Sequence, residues 1–387
     1  MNWLRERTAA VLAGSAIGDA LGGAAEGFSA EAIKERYGGR ITGIVPPYHA
    51  DWQTARPVSP YHKGDGHITD DTLMTQALIQ VYAKHRDHLD AFAIAETLVP
   101  LLQTEVRWVP ELERESILLQ RVFLAEKWLV MRLQYGHADP REAGVGNVIN
   151  CGAAMYMAPV GIVNAGNPRR AYTEAIDIAG AHQASYGREA AGIFAAAVAE
   201  SVAPGATVSS VIDAALRYAH DGSKAAVEAV VTAARALPET ATDDEIGAAL
   251  REAIRPFDTV GDAYREPNMD ARLPSRTKSI EELPIALGLL VAYDGDLRAS
   301  ILAAVNYGRD SDSIASMVGS LAGGLGGWDA VATEWLDVIA EASRIDFGVY
   351  ADRLADVAEE ILQADVDRAR LDIALIEGLG AATGARG

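Results

Sequence analysis

The sequence predicts an all-α protein in which one large domain takes up most of the chain. Three observations lead there. Ala and aliphatic residues recur every three or four positions, as from Tyr172 to Ala179 and from Glu228 to Ala234, which is the period of a helix with one buried face. The strict alternation of a half-buried strand is nearly absent. With 387 residues, 49% of them apolar, the chain can build one large core or two ordinary ones, and no break in composition marks a boundary between two.

The opening segment, MNWLRERTAAVLAG, mixes charges into an amphipathic period and lacks the apolar core and small-residue cleavage site of a signal peptide. Glycines then punctuate a helical pattern at Gly14, Gly18, Gly22 and Gly23. Glycine in a helix costs about 1 kcal/mol against alanine, so this spacing points to a tight helix crossing or to backbone exposed to a ligand. An Asp19 buried there needs a partner, which a metal shell or a helix cap can supply. Residues 38 to 68 follow as the longest irregular stretch, with Pro46, Pro47, Pro57 and Pro60, and are expected to form a wall or lid. Further on, start signals mark helices: Asn167-Pro168 before 169 to 179, Thr207 before 208 to 219, Thr242 with Glu245, and Ser279 with Glu282 in the capping-box spacing. The stretch from 257 to 278 reads as a second rim loop. The domain is expected to span 1 to 377, with a frayed tail over 378 to 387.

Two acidic clusters carry the chemistry: Thr69-Asp70-Asp71-Thr72 and Asp310-Ser311-Asp312-Ser313, each where a loop runs into an apolar helix. Either one alone has an ordinary explanation, since a hydroxyl caps a helix and acids in the first turn complement its dipole. Their repetition favours two halves of one site. Oxygen donors of this kind are hard ligands, suited to Mg2+, Mn2+ or Ca2+ rather than zinc.

The three motifs together, Gly14-Ser15-x-x-Gly18-Asp19-Ala20-Leu21-Gly22, Thr69-Asp70-Asp71-Thr72 and Gly308-Arg309-Asp310-Ser311-Asp312-Ser313, resemble those of the ADP-ribosylglycohydrolase family in order and spacing. The resemblance implies a compact orthogonal bundle of helices with two Mg2+ ions, or Mn2+, in a central cleft. It also implies hydrolysis of the glycosidic bond at C1 of an ADP-ribosyl ribose. Thr69, Asp70, Asp71, Asp310, Asp312 and Ser313 become the implied metal ligands, and Glu26, Asp71 and Asp312 the implied catalytic groups, with Glu26 positioning or deprotonating water. Cys151, Gly152, Tyr156, His182 and Arg309 are the implied substrate contacts.

Three positions depart from the family pattern: Arg309 stands where a second glycine is common, Ser313 where threonine is, and Tyr156 where arginine is. Serine keeps a hydroxyl oxygen for the metal. Arg309 is expected either to contact phosphate or to fill space that a larger ligand needs. A small nucleotide or an ADP-ribosyl group is the expected substrate. The competing readings are metal-dependent phosphoester or pyrophosphate hydrolysis, and an inactive nucleotide-binding member of the fold. The net charge of -20 argues against nucleic-acid partners, whose phosphates require clustered Lys and Arg. With a single cysteine and no stretch of about 18 uncharged apolar residues, a cytoplasmic protein that does not enter a membrane is expected.

Overall fold

The computed structural model describes residues 3–52, 62–109, 114–258, 261 and 280–384. The principal helices are α1 (Trp3–Gly23), α2 (Ala30–Tyr37), α3 (Asp70–His85), α4 (Ala158–Val163), α5 (Pro168–Gly180), α6 (Ser185–Ser201) and α7 (Val208–Tyr218). They continue with α8 (Asp221–Arg235), α9 (Asp243–Ile254), α10 (Glu282–Ala292), α11 (Leu297–Tyr307), α12 (Ser311–Gly326), α13 (Thr333–Ser343) and α14 (Phe347–Gly384). The protein is all-α as the sequence predicts, apart from one small antiparallel hairpin of β1 (Val106–Val109) and β2 (Arg114–Ile117), in which Val106 pairs with Ile117.

Local chemistry sets the helix starts. Asn167 accepts the backbone N–H of Arg170 ahead of α5, and Thr207 and Ser210 bond each other's backbone ahead of α7. Thr242 and Glu245 form the expected capping box of α9. Ser279 lies outside the described residues, and Glu282 is the first residue of α10 rather than its third, so the box expected there is not the start observed. Of the two expected rim loops, 53–61 in the first and most of 259–279 in the second also lie outside the described residues. The final helix continues to Gly384, through part of the segment expected to fray.

The core is organised around one helix pair. Every residue from Ala10 to Gly23 in α1 and from Ser311 to Gly324 in α12 is buried. The glycines make this contact possible. A Cβ on Gly18 would overlap the Ala315 carbonyl, and one on Gly22 would stand 2.6 Å from the Asp312 Cα. Small side chains let the backbones touch, as the glycine spacing predicts, and the Ser15 and Ser316 hydroxyls share a hydrogen bond of 2.8 Å across the seam. The crossing delivers Asp19, on α1, to the N-terminal turn of α12, where the second acidic cluster begins. Helix α10, buried from Glu282 to Leu290, packs behind α12.

Candidate functional site

Asp19 joins α1 to α3. Its carboxylate accepts the Thr69 backbone N–H at 3.0 Å, the Thr69 hydroxyl at 2.6 Å and the Thr72 backbone N–H at 3.1 Å, and the Thr72 hydroxyl donates to it as well. An acid from another helix therefore caps α3. Thr69 holds the N-cap position without a side-chain cap bond of its own, so simple capping does not account for this threonine. Because its proton goes to Asp19, the remaining oxygen lone pairs of Thr69 are left for another partner.

The two acidic clusters meet, as their pairing in the sequence suggests. Ligand oxygens of Asp19, Asp71 and Asp312 lie within 4.8 Å of one another, and so do those of Glu26, Asp310 and Asp312. Asp312 belongs to both groups and so stands between the clusters. Asp71 is buried, and its Oδ1 makes no hydrogen bond. A buried carboxylate oxygen without a donor carries a desolvation penalty, which a cation would relieve. The donor set is hard oxygen throughout, and together with the orphaned oxygen it fits a Mg2+ or Mn2+ ion.

Burial and mutual repulsion push these acids upward. Desolvation, then the charges of Asp312 and Asp19, raise Asp71 well above the ordinary carboxylate range. Asp310 is raised in the same way by burial, Asp312 and Glu282. Asp70 is pushed up to about 8, first by desolvation and next by Glu126. Asp19 rises to about 6 by desolvation, with the Thr69 and Thr72 hydrogen bonds opposing the shift.

One cation already faces these acids. Lys63, in the loop leading into α3, bonds Asp312 Oδ2 at 3.0 Å and pairs with Glu26. Sequence reading missed it, because lysine carries no motif and only the fold brings residue 63 against residue 312. Glu126 was missed for the same reason. It is buried beneath Asp70, and its Oε2 makes no hydrogen bond.

The expected substrate contacts divide. Cys151 lies against the cluster, with its thiol donating to Asp310 Oδ2 at 3.3 Å. Gly152 is packed so closely that a Cβ would stand 2.8 Å from Glu126 Oε1. Tyr156 and His182 do not line an open pocket. Both have 0% exposure, the tyrosine hydroxyl meets His182 Nδ1 at 3.2 Å, and His182 Nε2 stands 3.4 Å from Glu126. They form the floor under the acids, because apolar helices enclose the segment that holds them. Arg309 is likewise committed elsewhere. Its guanidinium bonds Glu281 at 2.6 Å and Asp258 at 3.0 Å, and Arg251 pairs with the same two acids. Its backbone sits at φ 60 and is clamped to Gly27 and Phe28, beside Glu26. A left-handed backbone explains why glycine would be natural here. Ser313 is buried within the cluster, hydrogen-bonded to Cys151.

A helical bundle with hard-oxygen carboxylates at its centre defines the class, and comparison with known proteins assigns the family. The model of the ADP-ribosylglycohydrolase family matches residues 2–369, so the chain belongs to that family. A solved structure described as an ADP-ribosylglycohydrolase-related protein complex superposes with a TM-score of 0.58 at 19% identity, over 92% of this chain and 100% of that one. At that identity the likeness speaks for the fold alone. No curated protein matches the chain.

Proposed function

We propose that the chain is a metal-dependent hydrolase that cleaves the C1 glycosidic bond of an ADP-ribosyl group or a related ribonucleotide. The observation that carries this reading is the pair of carboxylate groups sharing Asp312, with an orphaned oxygen on Asp71. Thr69, Asp70, Asp71, Asp310, Asp312 and Ser313 would hold divalent cations. Held there, a hard cation would supply Lewis-acid charge for orienting the ribose and for lowering the pKa of a water.

The chain's own residues do the rest. Loss of the leaving group from C1 places positive charge on the ribose ring, and the converging carboxylates lower the energy of that charge. Glu26, half-buried at the edge of the cluster, would accept a proton from water. The Cys151–Ala153 turn, capped by Asn150, packs through Gly152 against Glu126, beside the buried Tyr156 and His182.

Phosphate recognition would draw on more than the expected Arg309. A cavity of about 910 Å³ opens beside Gly27, lined by Phe28, Lys34, Arg40, Arg251 and Arg309 among others. Its size suits a nucleotide; its basic groups are paired, Lys34 with Asp244, Arg40 with Asp243, and Arg251 and Arg309 with Glu281 and Asp258, and would exchange these partners for phosphate. The reading includes residues 1–377 as one domain, a cytoplasmic setting and no nucleic-acid partner. Among the described residues, no helix is long and apolar enough to cross a membrane.

The test is a mass-spectrometric assay with Mg2+ on ADP-ribosyl-arginine, ADP-ribosyl-serine, NAD and simple ribonucleotides, comparing wild type with Asp312→Ala. Release of a ribosyl product by wild type, absent in the variant, supports the proposal. Cleavage only between phosphates replaces it with phosphohydrolysis. No metal-dependent turnover of any of them sinks it.

A further inference from the structure

Lys63 approaches the carboxylates from a braced turn. Asp65 N–H donates to the Val45 carbonyl at 2.8 Å, His67 N–H returns to the Gly64 carbonyl at 3.0 Å, and Ile68 N–H reaches the Ser343 hydroxyl at 3.1 Å. The lysine stem lies over α1, where a Cβ built on Gly23 would stand 3.7 Å from the Lys63 Cβ. From there the ammonium contacts two of the three carboxylates in the Glu26, Asp310 and Asp312 group. It touches neither Asp19 nor Asp71 in any ion pair found among the described residues, and the Asp71 oxygen that lacks a donor belongs to that other group. The two groups sharing Asp312 are therefore treated differently: in one, Lys63 pairs with two of the three carboxylates, and in the other it reaches the shared Asp312 alone.

An ammonium and a divalent cation compete for the same place. Its N–H groups use the lone pairs that a metal would coordinate, and two like charges at contact distance repel strongly in a half-buried setting. Resting on the metal-dependent reading above, we propose that Lys63 is a built-in cation that takes the place of one ion, so that this chain holds a single divalent cation, on the Asp71 side of Asp312. Lys63 then does by charge alone what a second ion would do. It neutralises Glu26 and Asp312 and fixes the Asp312 carboxylate between the two groups, and it adds no open coordination site.

The test measures Mn2+ stoichiometry by equilibrium dialysis, with low-temperature electron paramagnetic resonance on the same samples. Wild type is expected to bind one Mn2+ per chain with the spectrum of an isolated ion. Lys63→Met is expected to bind two and to show the broadened spectrum of a coupled pair, while Lys63→Arg, which keeps the charge, stays at one. Two coupled ions on wild type would overturn the assignment, as would a Lys63→Met protein of native circular dichroism that still binds one. A wild-type protein that binds no Mn2+ would instead bring down the metal-dependent reading itself. The two failures are thereby told apart.

Discussion

Asp312 is shared by both carboxylate groups, accepts from Lys63 and takes its own orientation from the Ser313 backbone N–H at 3.1 Å. Asp312→Asn keeps the shape and removes the charge, so turnover is expected to fall by at least about 100-fold with little change in melting temperature. A steady-state assay beside a thermal melt checks both halves. Arg309 is the opposite case, a residue whose loss registers in stability. Arg309→Gly relieves a left-handed backbone but removes a cation from the buried carboxylates of Glu281 and Asp258. The second effect is larger, and a net loss of about 3 kcal/mol is expected by urea unfolding. A variant as stable as wild type would show that Arg251 alone suffices for the two acids. At this scale the sequence was informative where chemistry is local: Thr69, Asp70 and Asp71 are neighbours and announce themselves. Lys63 and Glu126 were hidden because their partners lie far away in the chain. Tyr156 and His182 were identifiable as members of a motif, but no one-dimensional pattern says whether a buried ring faces a ligand or a floor.

Helix α1 meets α12 through glycines whose missing side chains set the distance between the two acidic clusters. Gly18→Val is expected to force the axes apart, destabilising the fold by roughly 3 kcal/mol, the upper end for overpacking, and weakening cation binding in parallel. Calorimetry with and without Mn2+ reads both. Retained Mn2+ affinity at lowered stability would mean that the site tolerates a shifted α1. This crossing was legible from residue spacing, as were the capping boxes at Thr207 and Thr242. The hairpin of β1 and β2 was not, because four-residue strands are too short for alternation to show. The far end of α14 was expected to fray on account of its glycines, and the helix continues to Gly384. Leu371 and Ile376 are 71% and 68% exposed there, beyond the residues that match the family model. Among the described residues of 371–387 none is buried, and on removing this segment the melting temperature is expected to stay within about 3 °C. A larger drop would mean that this segment supports the body.

Across the whole molecule, the charge of -20 and the raised acids of the site act in the same direction. A carboxylate whose folded pKa lies above its unfolded one binds protons more tightly when folded. Without metal, the contribution of these acids to stability is therefore greatest below the ordinary carboxylate range and falls as pH rises toward about 8, the value for Asp70. Cations compete with those protons, so the rise in melting temperature on adding Mg2+ is expected to be larger at about pH 8 than at about pH 6. Equal shifts at both would show that the acids are already ionised at the lower pH.

Ser15 and Ser316 touch across 301 residues of sequence. The ribosome releases the chain from its N-terminus, so α1 emerges long before the helix that will cover it has been made. Until residues 311 to 324 appear, the glycine-rich face of α1 has no lining, and Asp19 and Asp71 have no Asp312 to complete their group. A growing chain, or one cut short before that point, exposes the apolar face of α1 to chaperones and proteases and lacks the Asp310 and Asp312 of the proposed cation site. On the proposed metal-dependent reading, cation retention would therefore report that residues 311 to 324 have been made and folded against α1.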